Sequence, residues 1–409
     1  MSGCGAEYDL ITVDQALGLL LEKATTLATE RLTLSRVLNR YLAEDVYSDI
    51  NLPLFSQSAV DGYALCAQSG VETNTEFELI GEIQAGHSSA LQLQAGQAVR
   101  IFTGAKIPVG TTTVARQEIV QVLDISKILI TTPLKAHVDI RDVGEEISMG
   151  QLLATKGQQL SVGVIASLAM TGIQAVEIFK YPKIAVVITG DEVAKSVEDF
   201  ATGKIFDANG PLIEAWFQNQ AQQVEIFHVA DSEQTVKGLI QKLSATYDLV
   251  LTTGGVSVGD YDFIRPVTLD LGFEQIFWKV KQKPGKPMFL AVLEREDSSA
   301  CYLLGLPGNP AAVYVGMQIY TSVLLKALQG QKQPPKWFSA VLTHDLKMDA
   351  RERFLRMSAH FDQSIVKVTS LSNQQSHMLS NLMQANCLVR IPAGEGLAKG
   401  QIVEGLFID

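Results

Sequence analysis

Cysteine is scarce in this chain. Cys4, Cys66, Cys301 and Cys387 are scattered through 409 residues, and no two of them form a C-x-x-C pair. Such spacing argues against a disulfide framework or a structural zinc site, and suits a reducing cytoplasm. Basic charge is also in deficit: 33 Lys and Arg against 44 Asp and Glu leave a net charge of −11. A nucleic-acid partner needs the opposite balance, although a small anion can still bind in a locally basic pocket. Long apolar runs are missing too. One long uncharged window, 157–176, carries Gln158, Gln159, Ser161, Ser167, Thr171 and Gln174, and reads as a buried helix rather than a membrane span. No charged-then-apolar leader opens the chain, so the expected location is the cytoplasm, with no membrane partner. The six histidines lack metal-ligand spacing, which leaves His360 and His377 as structural or surface residues. Two nucleotide signatures are absent. Gly254 and Gly259 frame a G-x-x-x-x-G run, but Asp260 follows where a phosphate-binding loop has lysine, and no G-x-G-x-x-G follows a strand.

What is present is a folded chain of several domains. Its 47% hydrophobic and 19% charged residues are ordinary for a globular protein, and its length exceeds one compact core. Thr12-Val13-Asp14-Gln15 is a capping-box pattern heading a helix with Val13, Ala16, Leu17, Leu20 and Ala24 at helical spacing. A short strand at 31–34, a helix from Ser35 and a strand through 42–50 follow. From Pro53 and Gly62 to about Asp142, short β runs at 77–83, 99–103, 113–122 and 127–131 read as a small all-β module inserted in the chain. After a mixed stretch with a helix over 162–170, Tyr181-Pro182 marks a boundary. Strands at 184–188, 224–229, 249–252, 277–280, 289–292 and 302–304 then share the chain with helices from Pro211, over 235–243 and over 311–328. That pattern builds βαβ units and a largely parallel sheet. Residues 330–335 read as a linker, and the remainder as the short strands of a second β module.

The most informative stretch is 248–262, DLVLTTGGVSVGDYD. A buried strand, Leu249-Val250-Leu251, breaks into a loop with Gly254, Gly255 and Gly259 that closes on Asp260 and Asp262. Open α/β sheets bind ligands beyond the carboxyl ends of their strands. Glycines let backbone N–H groups approach phosphate oxygens, and carboxylates can hold a hard cation such as Mg²⁺ against them. Three further loops should share that rim: 189–192, the turn at Asp231, and Leu306-Pro307-Gly308-Asn309-Pro310. Each also has a plainer reading. Asp231 can cap a helix, Asn209-Gly210-Pro211 can be a helix start alone, and the G-N-P run can be a sharp turn. Gathering Glu192, Asp231 and Asp262 without a counter-charge is unfavourable, since two carboxylates 6 Å apart repel by roughly 3 kcal/mol at an effective dielectric of 20. A divalent cation, or Lys279, Lys281, Lys283 and Lys286 of WKVKQKPGKP, would relieve it. Those lysines can equally protect a strand edge. Acids, glycine amides and lysines together point to a phosphorylated ligand.

Eight segments carry a resemblance: SAVDGYAL (58–65), IFTGAKIP (101–108), ITGDE (188–192), TTGGVSVGDYD (252–262), KPGKP (283–287), GLPGNP (305–310), RERFLR (351–356) and SHMLSNL (376–382). In this order, and over nearly the whole chain, they resemble the MoeA-type molybdopterin molybdenumtransferases, which are related to the E domain of gephyrin. The resemblance implies an α/β multidomain subunit. Its parts would be a central α/β domain with a mostly parallel sheet (1–26 and 183–329), a mixed linking domain (27–52 and 145–182), the inserted all-β module (53–144) and a C-terminal β module (330–409). It also implies a homodimer, with the active cleft where the α/β domain of one subunit faces the β module of the other. The reaction implied takes adenylylated molybdopterin, molybdate and Mg²⁺, releases AMP and inserts molybdenum between the dithiolene sulfurs. Carried onto this sequence, Asp61 and Thr103 come from the β module, and Glu192, Asp231 and Asp262 are the acids, with Glu192 and Asp262 the metal ligands. Lys279 and Lys283 face the phosphates. Gly254, Gly255, Ser257, Gly259, Pro307 and Pro310 form the substrate pocket. Lys286, Pro287, Arg353 and Ser376 hold the oxyanion. Asp61 has its own plain reading, because Asp-Gly is a common turn pair. Two departures from the family pattern stand out. Val60 replaces a methionine, and Ala311 and Ala312 follow Pro310 where the family commonly offers a serine hydroxyl to molybdate. Three rival readings remain: the adenylyltransferase that makes the substrate, a non-catalytic scaffold of the same fold, and a tungstate-preferring relative.

Overall fold

A computed structural model describes residues 10–87, 90–190, 203–257 and 262–408. The chain forms two compact units: Arg31–Val176, and Met1–Glu30 together with Glu177–Asp409.

The larger unit is built on six strands: β1 (Ile184–Thr189), β2 (Glu225–Val229), β3 (Leu249–Thr253), β4 (Glu274–Trp278), β5 (Phe289–Glu294) and β6 (Ala300–Leu306). Their order in the sheet is β2-β1-β3-β6-β5-β4. The first four are parallel; β5 and β4 add antiparallel pairs. Both faces are covered. Ala185, Val187, Val250 and Leu303 pack with Val236, Ile240, Leu243 and Val267. Val186, Ile188, Leu251 and Leu304 pack with Val13, Leu17, Leu20, Phe217 and Leu324. A strand buried on both faces has no polar side to show, which explains the unbroken apolar runs in β1 and β3. Each fully buried Val or Leu contributes about 1.5–3 kcal/mol, so these layers hold the strand ends, and the loops beyond them, in fixed register.

The Val13–Lys23 helix forms with its capping box closed: Gln15 N–H donates to Thr12 Oγ1 at 3.2 Å, and Thr12 N–H donates to Gln15 Oε1 at 2.9 Å. The segment after β6 is helical through Pro310–Gly316, a π-turn at Met317–Thr321 and Ser322–Leu328. It is the one helix among the described residues long and apolar enough to cross a membrane, and most of it is buried in the core. The C-terminal strands close into a barrel: Glu352–Asp362 pairs with both Ile365–Ser370 and Cys387–Ile391, while Ile402–Phe407 joins Cys387–Ile391 to Phe338–Leu342. Gln282 and Lys283 extend that sheet, lying parallel to Glu352 and Arg353.

The smaller unit holds another six-stranded sheet, ordered Thr113–Arg116, Gly62–Leu65, Gln97–Ile101, Thr75–Ile83, Lys127–Ile130 and Val120–Asp124. Several local expectations fail. The helix from Ser35 is a single 3-10 turn, Leu34–Arg36, and the strand through 42–50 shrinks to Val46–Tyr47. Between them the Asn39 and Leu42 N–H groups donate to the Leu160 and Gln158 carbonyls at 2.9 and 3.1 Å, so the backbone is satisfied without a regular element. The strand expected at 277–280 ends at Trp278, because Lys279 turns to φ 65°. A helix at Ile264–Asp270, not expected, follows the glycine loop; Pro266 sits in its first turn, where a missing N–H costs no helical bond. The Val162–Met170 helix is present but not buried: Leu168 alone is inside, and Val162 is 73% exposed.

Candidate active site

Parallel register sets the strand ends side by side. Ile188 pairs with Thr253, Thr253 with Leu306, and Thr189 with Val229. From β1 the connection runs outward to β2 on one side while β3 lies on the other, so the loops diverge there and leave a crevice. It holds a cavity of about 670 Å³. Thr189 and Gly190 line it after β1, and Asp231 after β2. Gly254, Gly255, Ser257 and Asp262 follow β3, and Pro307, Gly308, Asn309 and Pro310 follow β6. Two of the expected site residues, Glu192 and Gly259, lie outside the described residues.

Backbone geometry explains the glycines. Gly254 and Gly255 stand at φ 84° and 66°. A Cβ on Gly254 would come within 2.7 Å of Thr189 Oγ1, and one on Gly255 within 2.7 Å of Ile264 Cγ1. The Gly254 N–H donates to Leu306 O at 3.0 Å, tying the loop after β3 to the end of β6. Opposite, Asp207 Oδ1 accepts from the N–H groups of Asn209 and Gly210, both at 2.9 Å, at the start of the Asn209–Asn219 helix. Asn209 Nδ2 then donates to Gly308 O at 2.9 Å, while its buried Oδ1 has no hydrogen-bond partner.

The lysines do not join the cavity lining. Lys279 Nζ lies 3.7 Å from the Trp278 ring centroid, a ring that also carries Arg265. Lys283 pairs with Asp349 at 2.8 Å and holds that carboxyl below its usual range. Lys286 is half-buried beside Pro287, which does line the cavity. Arg353 donates Nη2 to Lys347 O, and Ser376 O accepts from Ala311 N–H at 3.0 Å. Ala311 and Ala312 are fully buried.

The smaller unit presents its own hollow, of about 510 Å³, lined by Ala59, Val60, Asp61, Thr103, Arg116, Gln117 and Glu118. Thr103 clamps Asp61: its N–H and Oγ1 both donate to Asp61 Oδ1, at 2.8 and 2.7 Å. These bonds hold the carboxyl below its usual range. The Asp-Gly pair is more than a turn. A Cβ on Gly62 would fall 2.0 Å from Ala115 O, so the adjoining strand requires glycine there.

Three residues stand out in the structure without a clear signal in the sequence. His377 lines the cavity, although its isolated position suggested a surface residue. Asp207 lines it as well, and its spacing before Asn209-Gly210 is the one signal that would have found it. Arg356 is fully buried with Nε and Nη1 lacking partners, while Nη2 donates to Asn373 O at 2.9 Å. Four consecutive buried residues, 354–357, gave no alternation to single it out. The glycine loop also spells G-x-S-x-G around Ser257. No histidine hydrogen-bonds Ser257 among the described residues, so a nucleophile–base pair is not formed there.

Known families match nearly the whole chain. Residues 11–172 match the family described as MoeA N-terminal region (domain I and II). Residues 185–327 match a probable molybdopterin binding domain, and residues 339–408 the MoeA C-terminal region (domain IV). The molybdopterin molybdenumtransferase of Haemophilus influenzae is 33% identical over 396 residues, covering 95% of this chain and 96% of that protein. The chain belongs to the MoeA family. Another molybdopterin molybdenumtransferase, from Staphylococcus epidermidis, is 31% identical over 408 residues, with 98% and 96% coverage. The crystal structure of a MoeA molybdopterin biosynthesis protein from Pyrococcus horikoshii superposes with a TM-score of 0.82 at 25% identity, covering 98% of this chain and 100% of that one. This MoeA-family chain is therefore a transferase of molybdenum cofactor biosynthesis, with the multidomain α/β architecture and C-terminal barrel of its relatives.

Proposed function

We propose that this chain inserts molybdenum into adenylylated molybdopterin with Mg²⁺-dependent release of AMP, as a cytoplasmic homodimer. The observation that carries this reading is the single cavity that brings Asp231 and Asp262 together with the left-handed glycine loop. Mg²⁺ takes hard oxygen ligands, commonly one or two carboxylates together with substrate phosphates. Asp231, Asp262 and the unpartnered Asn209 Oδ1 in the same lining are such a donor set. Asp231 and Asp262 would hold the ion, joined by Glu192, and bound Mg²⁺ would offset charge on the pyrophosphate oxygens. Gly254 and Gly255 allow backbone N–H groups to approach the phosphates. Pro307 and Pro310 wall the pocket, and Pro287 with Lys286 takes the molybdate substrate. Asp61, kept ionised by Thr103, is assigned a proton-accepting role in the same reaction.

Two observations support the remaining parts. The Val162–Met170 helix offers an apolar surface that this chain leaves exposed, as a subunit interface would. Cys66, Cys301 and Cys387 are free thiols, in keeping with a reducing cytoplasm. Purified protein supplied with adenylylated molybdopterin, molybdate and Mg²⁺ should release AMP and retain molybdenum. Asp262→Ala should do neither while keeping its fold; an active Asp262→Ala protein would remove the Mg²⁺ assignment.

A further inference from the structure

Gln282 and Tyr320 form a buried polar pair that the proposed reaction does not use. Gln282 is 0% exposed and donates Nε2 to Pro284 O at 3.0 Å. Its Oε1 accepts from the Tyr320 hydroxyl at 2.5 Å. Tyr320 is equally buried, in the π-turn Met317–Thr321, and burial pushes its phenol up so that it stays a donor. The turn that follows is fitted to this pair. Gly285 stands at φ 90°, and a Cβ there would lie 2.8 Å from Gln282 Nε2 and 3.8 Å from Ala312 Cβ. Lys286 O accepts from the N–H groups of Val280 and Met288 at 2.9 and 3.0 Å, and Pro287 then reaches the cavity. Apolar side chains could fill the same space without desolvating an amide and a phenol, so the polar pair is kept at a cost. π-turns inside helices concentrate at functional sites.

We propose that the Tyr320–Gln282 pair is a positioning device. It fixes the Pro284–Pro287 turn against the cavity and so sets the affinity for the metal oxyanion. This rests on the reading of Lys286 and Pro287 as molybdate contacts. The test compares wild type, Tyr320→Phe and the double variant Tyr320→Phe/Gln282→Met, in which both polar partners are gone. Each is measured for thermal stability, for KM toward molybdate and toward the adenylylated pterin, and for hydrogen exchange at the Val280 and Met288 amides, which donate to Lys286 O. Tyr320→Phe should raise the molybdate KM about five- to tenfold, the worth of roughly one hydrogen bond, and leave the pterin KM within about twofold. Exchange at both amides should quicken. The double variant should regain thermal stability but neither the amide protection nor the molybdate KM. Should Tyr320→Phe not fold, Gln282→Met carries the same comparison. Unchanged exchange, or a double variant that recovers molybdate KM along with stability, overturns the proposal. A wild type that neither responds to molybdate nor releases AMP overturns the functional reading instead, and the exchange data still decide whether the pair holds the turn.

Discussion

Replacing Gly254 by alanine tests the loop on which the site is built. Gly254 stands at φ 84°, a conformation that costs an L residue about 1–2 kcal/mol. The added Cβ lies 2.7 Å from Thr189 Oγ1, and that hydroxyl donates to Thr253 O at 3.1 Å. Moving it aside forfeits the bond, about 1 kcal/mol more, so Gly254→Ala should destabilise by about 2–3 kcal/mol. Gly308 supplies the control. It lines the same cavity, but its φ is not positive and its Cβ would meet nothing nearer than Gly254 Cα at 3.6 Å. Gly308→Ala should cost less than about 0.5 kcal/mol. Urea denaturation of both variants measures the difference. In a Thr189→Ala background the clash disappears, and the cost of Gly254→Ala should fall to the strain alone, about 1–2 kcal/mol. A Gly254→Ala protein within about 0.5 kcal/mol of wild type would refute the left-handed geometry, and with it the close approach of loop amides to a phosphate.

Two other predictions follow from the smaller unit. The Thr103 bonds depress the Asp61 carboxyl below 3.8, so their contribution is full above pH 3.8 and is lost as pH falls through the lowered folded value. Thr103→Ala should therefore move the acidic limb of the rate profile upward, and an unmoved limb would remove Asp61 from the reaction. Val162→Glu places a charge on the exposed apolar helix and should turn the proposed dimer into monomers by sedimentation; an unchanged sedimentation coefficient would put the interface elsewhere.

The central sheet was legible because its strands are buried on both faces and therefore lack polar alternation, as in Leu249-Val250-Leu251. Glycines and acids placed after those strands announced the rim, since strand ends in a parallel sheet necessarily share one edge. Segments held by long-range backbone bonds were not legible. Asn39 and Leu42 take partners near residue 160, which no local pattern reveals. The surroundings of the lysines were not legible for a related reason: Lys279 rests on Trp278 and Lys283 on Asp349, partners set by tertiary packing. Arg356 and His377 escaped because a buried cation or a cavity-lining imidazole is defined by what surrounds it, not by its neighbours in sequence. The apolar segment Val162–Met170 forms the expected helix but lies largely exposed, because hydropathy reports a preference for cover without saying which molecule supplies it.

The proposed reaction requires Asp231 and Asp262 to present Mg²⁺ to a pyrophosphate within one cavity. AMP release measured against Mg²⁺ concentration, with molybdate saturating, tests this most directly in wild type and Asp262→Ala. Saturable Mg²⁺ dependence in the wild type and none in a folded variant is the predicted result; equal AMP release by both proteins, or release indifferent to Mg²⁺, would contradict it.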